Sequence, residues 1–429
     1  MLKKNKLKGL TAGFASTLVP AFALALLAGC GSTPLPPDTG CGVPGGLCAP
    51  ATPVTSAPPP EASYTPPPPE DSGVRTNPVE LPPGVGGAPS AAVPAGGGTR
   101  IALLLPLESP TLSQPAEAVR AGFMAAYERD RAGITVNLVP TGDSTESALE
   151  AYTRAAAQHD VVVGPLARNA VAALATSGSV SKPTVALNHP QTTAPLPRRM
   201  LAVGLALEDE ARQVADWAAA EQAVGRALVL SGPAAWQQRL SGAFTARWLQ
   251  LGRAHTVVEL PIADGYVDGN ALAELRARLQ ADPPQLAFAA LDATQLRQVR
   301  SALGTSLPTY GTASVNPGRE PGVTAPELAG VRILDLPWTV QPEHPAVSVY
   351  PRWTGASDGF DMQRLYALGI DAFRIARELG QRPNGAFEID GVTGRLSVDM
   401  NNPNSSFRRV ETGVVYRDAG VFETAAFGR

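Results

Sequence analysis

Cys30 stands at the end of Leu27-Ala28-Gly29-Cys30, where small residues lead directly into a thiol. Ahead of it lie Lys3, Lys4, Lys6 and Lys8, then an apolar stretch from Leu18 to Leu27. A cationic head, an apolar core and a small-residue cleavage site are the parts of a secretory signal. A cysteine directly after the cut adds lipidation, because the sulfur carries the lipid as a thioether. The apolar core is too short to span a bilayer of ~30 Å as an anchor. Residues 1–29 are therefore expected to be a signal peptide and Cys30 the lipidated residue. Gly31 rather than an aspartate follows the cysteine, which suits sorting to the outer membrane, facing the periplasm.

Two further cysteines, Cys41 and Cys48, lie in the run CGVPGGLC. In an oxidising compartment they form a candidate disulfide across a short, flexible loop. A metal site would need more ligands than this segment offers, since no histidine lies near. No metal and no cofactor are expected. The histidines His159, His189, His255 and His344 are dispersed. The acid pairs Asp209 with Glu210 and Asp390 with Asp399 sit in no recognisable motif. G-x-S-x-G, H-E-x-x-H and phosphate-binding glycine loops are missing as well, which argues against an enzyme.

The chain carries a formal net charge of -3. Loss of the four leader lysines, with no acid among residues 1–29, takes it to -7. Such a chain lacks the basic footprint of a nucleic-acid binder, and its membrane attachment must come from the lipid. Hydrophobic residues make up 44% and aromatic residues only 6%, so the core must be built mainly of Ala, Val and Leu.

Residues 30–98 are dominated by Pro, Gly, Ala, Ser and Thr, with Pro58-Pro59-Pro60 and Pro66-Pro67-Pro68-Pro69. This composition cannot repay ordering entropy and is expected to form a disordered linker. Fully stretched it would reach roughly 200 Å, and as a flexible coil about 45 Å.

From residue 99 to 429 the pattern becomes strand then helix. Ile101–Leu105, Val136–Val139, Val161–Val163 and Thr184–Leu187 are expected strands, and 115–129, 146–158 and the stretch from Asn169 expected helices. The alternation restarts with strands at Met200–Val203, Ala227–Leu230, Thr256–Leu260 and Leu286–Leu291. Helices at 208–220, 234–251, 270–280 and 293–303 separate these strands. A long helix is expected at 362–379 and short strands from 394 to 423. Two α/β units over about 330 residues exceed one core. The expected architecture is α/β and bilobal: two parallel-sheet lobes with helices on both faces and a cleft between them.

Gly164 and Pro165 end one buried strand at the sheet's carboxyl edge, the edge that faces a cleft in open α/β sheets. They read either as a ligand-facing turn into a helix N-terminus or as a simple reversal. Asn188, Thr192 and Thr193 follow the next strand and are further candidates to face the cleft.

Three segments carry a resemblance: IALLLPLESP (101–110), DVVVGPLARNAVAALA (160–175) with PTVALN (183–188), and RLYALGIDAFRIA (364–376) with GVTGRLSVD (391–399). Together they resemble the penicillin-binding-protein activator lipoproteins. That resemblance implies a type I periplasmic-binding-protein-like fold and a non-catalytic regulator that contacts a peptidoglycan synthase, a class A penicillin-binding protein. Well-studied members carry a helical-repeat domain ahead of this region, where this chain has its Pro-rich segment. Arg408, Arg409, Trp338 and Trp353 are candidate contact residues, because interfaces favour Arg and Trp. The alternative is a periplasmic receptor for an amino acid or peptide. Gly164-Pro165-Leu166-Ala167-Arg168 offers such a ligand no hydroxyl.

Overall fold

The computed structural model describes residues 98–190, 194–222, 225–318, 325–355, 360–401, 405–417 and 421–425. Cys30, Cys41, Cys48, Thr192 and Thr193 lie outside these residues.

The first lobe is laid down as β1 (Thr99–Leu105), α1 (Ser113–Arg129), β2 (Ile134–Pro140), α2 (Thr145–Gln158), β3 (Val161–Val163), α3 (Arg168–Thr176), β4 (Thr184–Ala186) and β5 (Met200–Ala202). Its five strands are all parallel, in the order β2-β1-β3-β4-β5. β1 is apolar without interruption from Ile101 to Leu105 because both of its faces are covered. Ile101, Leu103 and Leu105 join one apolar cluster. Ala102 and Leu104 point the other way, toward Ala151 and Tyr152 of α2 and Val171 and Leu174 of α3.

The second lobe follows with α4 (Leu207–Glu221), β6 (Ala227–Ser231), α5 (Ala235–Gln250), β7 (His255–Glu259), the hairpin β8 (Ile262–Ala263) and β9 (Tyr266–Val267), α6 (Gly269–Ala281), β10 (Leu286–Ala290), α7 (Ala293–Leu303), β11 (Thr309–Gly311) and β12 (Arg332–Asp335). The same two-residue alternation divides its sides. Val229 and Phe288 face Trp217, Phe244 and Trp248, with the Phe244 and Phe288 rings stacked at 4.0 Å. Leu228, Leu230, Ala287 and Ala289 face Leu275, Leu296 and Val299.

The chain then returns through the short helices α8 (Pro337–Val340) and α9 (Pro345–Ser348) to α10 (Phe360–Gln381). Next come β13 (Ala386–Asp390), β14 (Arg395–Asp399), β15 (Ser406–Val410), β16 (Thr412–Arg417) and β17 (Val421–Thr424). β13-β14-β15 form a separate antiparallel sheet. β16 and β17 complete the second lobe's sheet, whose order is β17-β16-β12-β11-β10-β6-β7. That sheet is therefore mixed, with β16 antiparallel to β12 and β17 antiparallel to β16.

One boundary differs from the sequence expectation. Met200–Ala202 does not open the second unit; it pairs in parallel with β4 as the fifth strand of the first sheet. The connection between them holds Pro190, Pro195 and Pro197, which disfavour a helix, so the repeating strand–helix beat that marks a unit is lost there. β11, β12 and β13 were not expected at all. Two of them are only three or four residues long, too short for periodicity to register.

α10 belongs to the first lobe, where it lies along α1. Phe123 meets Phe373 edge to face at 5.3 Å. The two helix backbones touch through a reciprocal pair of glycines: a Cβ on Gly122 would run into the Tyr366 carbonyl, and one on Gly369 into the Val119 carbonyl. Neither obstacle is a movable side chain. Gly369→Ala is expected to lower unfolding free energy by about 3 kcal/mol, read as a reduced denaturation midpoint with an unchanged m-value.

Candidate functional site

Three segments pass between the lobes: the stretch after β5, the residue Leu336 after β12, and Glu411 between β15 and β16. A buried ionic centre joins them. Arg364, on the second turn of α10, donates to Glu210 Oε1 at 2.5 Å and to Asp335 Oδ1. Glu210 stands just beyond the first crossing and Asp335 just before the second, and both side chains are wholly buried. The remaining acceptors are filled. Glu210 Oε2 takes the Ala313 amide at 2.9 Å. Asp335 Oδ2 takes Asn316 Nδ2 at 2.7 Å, and its Oδ1 also takes the Leu336 amide at 2.7 Å.

The third crossing is tied to the first. Arg409 donates to the carbonyls of Val203 (2.7 Å) and Gly204 (2.9 Å) and to Thr393 Oγ1 (3.1 Å). The Glu411 amide donates to Gln213 Oε1 at 3.1 Å. Glu411 itself is 4% exposed, and its Oε2 has no hydrogen-bond partner.

Desolvation dominates this cluster. It pushes the Glu411 carboxyl well above the usual carboxylate range, with nearby Glu210 adding to the effect. Glu210 is likewise raised by burial, to about 7, against the opposing pull of Arg364. Burial lowers Arg409. For Arg364 burial works in the same direction, but Glu210 and Asp335 outweigh it and hold the guanidinium charged. Both Glu210 oxygens are occupied by donors, whereas Glu411 Oε2 has no hydrogen-bond partner.

The segment RLYALGIDAFRIA proves to be a structural fitting around this centre. Arg364 supplies the ionic bridge and Gly369 the close approach to α1. Asp371, 1% exposed, caps the turn between β13 and β14. It accepts the Val392 amide (3.1 Å), the Thr393 amide (2.8 Å) and the Thr393 hydroxyl (2.7 Å). Gly394 holds φ +132 there, and a Cβ on Gly391 would press on the Asp371 carboxylate. The two halves of the motif are thus one contact.

Gly164, Pro165 and Asn188 come together at the carboxyl ends of β3 and β4. Gly164 (φ +110) and Pro165 are buried. The Pro165 carbonyl accepts the Leu187 amide at 3.0 Å, and half-buried Asn188 donates through Nδ2 to the Leu166 carbonyl at 3.1 Å. Their polar groups bond one another. A separate open pocket of about 270 Å³ lies at the strand ends of the second lobe against the start of α10, lined by Leu207, Trp236, Asp292, Ser314, Asp361 and Arg364 among others. Ser314 Oγ donates to the Leu291 carbonyl at 2.8 Å, Asp292 caps α7 by accepting the Gln295 amide at 2.8 Å, and Asp361 is exposed. Of the candidate contact residues, Trp338 is fully buried and Arg409 belongs to the hinge, whereas Arg408 is exposed and Trp353 half-buried.

Two α/β lobes joined by three crossings, with a cleft at the strand ends, define a type I periplasmic-binding-protein fold. The LppC putative lipoprotein family matches residues 95–266 and 273–408, and the chain belongs to that family. It is 27% identical over 334 residues to the penicillin-binding protein activator LpoA of Haemophilus ducreyi, covering 76% of this chain and 54% of that protein. The chain spans about half the length of the curated relatives it matches. Among solved structures, a putative branched-chain amino acid ABC transporter from Chromobacterium violaceum aligns with TM-score 0.62 at 35% identity, over 74% of this chain and 99% of that one. The C-domain of Haemophilus influenzae LpoA, described as a regulator of PBP1A, aligns with TM-score 0.58 at 23% identity, over 76% of this chain and all of that domain.

Sequence reasoning passed over Glu210, Asp335, Arg364 and Glu411. One signal was present: Glu210 falls on the apolar stripe of α4 with Leu207, Ala211, Val214 and Ala218, and an acid on such a stripe calls for a buried partner. Arg364→Ala would strand two buried carboxylates and is expected to cost roughly 3–5 kcal/mol in urea unfolding. Glu411 has a native pKa above its unfolded value, so the native state binds the extra proton. Its stabilisation is fully present below about pH 4 and is lost as pH rises through the raised native pKa. Glu411→Gln, which mimics the protonated form, is expected to flatten that decline above about pH 4, read as urea unfolding across a pH series.

Proposed function

We propose that this chain is an outer-membrane lipoprotein that activates a class A penicillin-binding protein by direct contact and carries out no catalysis itself. The observation that carries this reading is the family match across nearly the whole bilobal domain, together with relatives named as penicillin-binding protein activators. The cleft supports it too. Ser314, Asn188 and Arg364 donate to internal partners and Asp292 accepts from one, so these groups are not held open for a solute. Attachment through a lipid on Cys30 and a long 30–98 tether fits a regulator that must reach across the periplasm to its synthase. The second reading, an amino-acid receptor, rests on the likeness to the Chromobacterium violaceum protein. The internal partners of Asn188 and Ser314 speak against it.

The test is reconstitution of the mature chain with a purified class A synthase on lipid-linked precursor. Saturable binding and a several-fold faster glycan output are expected. No binding and an unchanged rate would overturn the activator reading for that partner. Cys30→Ser is expected to move the chain from the outer-membrane to the soluble fraction and to abolish labelling by a radioactive fatty acid.

A further inference from the structure

Two non-glycine residues among those described hold positive φ, Asp264 at 51 and Arg199 at 71. Asp264 is accounted for: with Gly265 it makes the two-residue turn of the β8–β9 hairpin, which requires that conformation. Arg199 lies in no hairpin. A long side chain in the left-handed region is disfavoured and persists only when its surroundings over-determine it. Three hydrogen bonds do so here. The Arg199 amide donates to Ser405 Oγ at 3.0 Å, its carbonyl accepts the Thr184 amide at 2.8 Å, and its Nη1 donates to the Ser181 carbonyl at 3.0 Å.

The result is an open pocket of about 550 Å³ at the amino ends of β4 and β5, where Arg199, Arg198, Ser181, Asn384, Asn401 and Met400 converge from separate stretches of the chain. This is the edge of the first lobe opposite the cleft, and the edge at which β1 begins at Thr99. Both arginines are exposed, and neither forms an ion pair among the described residues. The acidic chain therefore keeps a locally cationic depression here. Two guanidinium forks suit a carboxylate. The two flanking carboxamides and a buried Met400 suit a ligand that also carries amides or hydroxyls on an apolar frame.

We infer that this pocket binds the free carboxylate of a glycan-linked peptide, the chemistry of a cell-wall stem peptide. The choice of that source rests on the cell-wall role proposed above; the preference for a carboxylate rests on the pocket alone.

Titration calorimetry of the mature chain with a disaccharide-tetrapeptide muropeptide tests this, with an uncharged chito-oligosaccharide and inorganic phosphate as parallel ligands. Saturable muropeptide binding is expected, at least tenfold weaker in Arg198→Ala and in Arg199→Gly. Glycine accepts the positive φ, so Arg199→Gly removes the guanidinium without disturbing the fold, and its melting temperature should match the parent's. Absent binding, unchanged affinity in both variants, or equal affinity for chito-oligosaccharide or phosphate would overturn the assignment. A chain that stimulates the synthase yet ignores the muropeptide overturns this site alone. A chain that binds the muropeptide yet leaves the synthase unchanged overturns the activator reading alone.

Discussion

Everything between the lobes is organised around the cost of burying charge. Arg364 could not sit 6% exposed without partners, because an isolated guanidinium in an apolar interior is unaffordable by several kcal/mol. Its partners stand at the second-lobe ends of the first and second crossings, so satisfying one side chain ties α10 of the first lobe to both α4 and β12 of the second. Arg409 joins the first and third crossings through backbone carbonyls. Hydrophobic contact would hold the lobes together but would tolerate sliding. Directed hydrogen bonds resist it.

The periodic elements were readable because burial on two faces leaves an unmistakable record: the run Ile101–Leu105 and the triplet Val161–Val163 could be little else. α10 was readable from its wide apolar stripe. What escaped the sequence was assembled from contacts across long separations. Glu210 and Arg364 are 154 positions apart, and no local pattern announces such a pair. β5 was assigned to the wrong lobe because strand membership depends on pairing partners, which single-chain periodicity does not contain. The motif Leu-Gly-Ile-Asp-Ala was recognised as distinctive, but its meaning, one glycine for helix contact and one aspartate for a distant turn, emerged only with the coordinates.

The cleft of this scaffold is lined by side chains that also serve the loops around it. In a solute receptor the strand-end polar groups must be left available and oriented for an incoming molecule. Here Asn188, Ser314 and Asp292 instead brace the loops on which they sit. The loops around the cleft gain rigidity, and the chemistry that remains available lies on outer surfaces such as the Arg198–Arg199 edge.

The interleaving of the chain also bears on how the molecule comes into being. The first lobe's covering helix α10 arrives after the whole parallel part of the second lobe, and the second lobe's outer strands β16 and β17 arrive last of all. The first lobe cannot close its core before α10 is made, nor the second its sheet before β16 and β17, so the domain matures late. Long-range closure of this kind slows assembly. A chain clipped before Thr412 would forfeit the second sheet's last two strands, and one clipped before Phe360 would leave both lobes with an open flank.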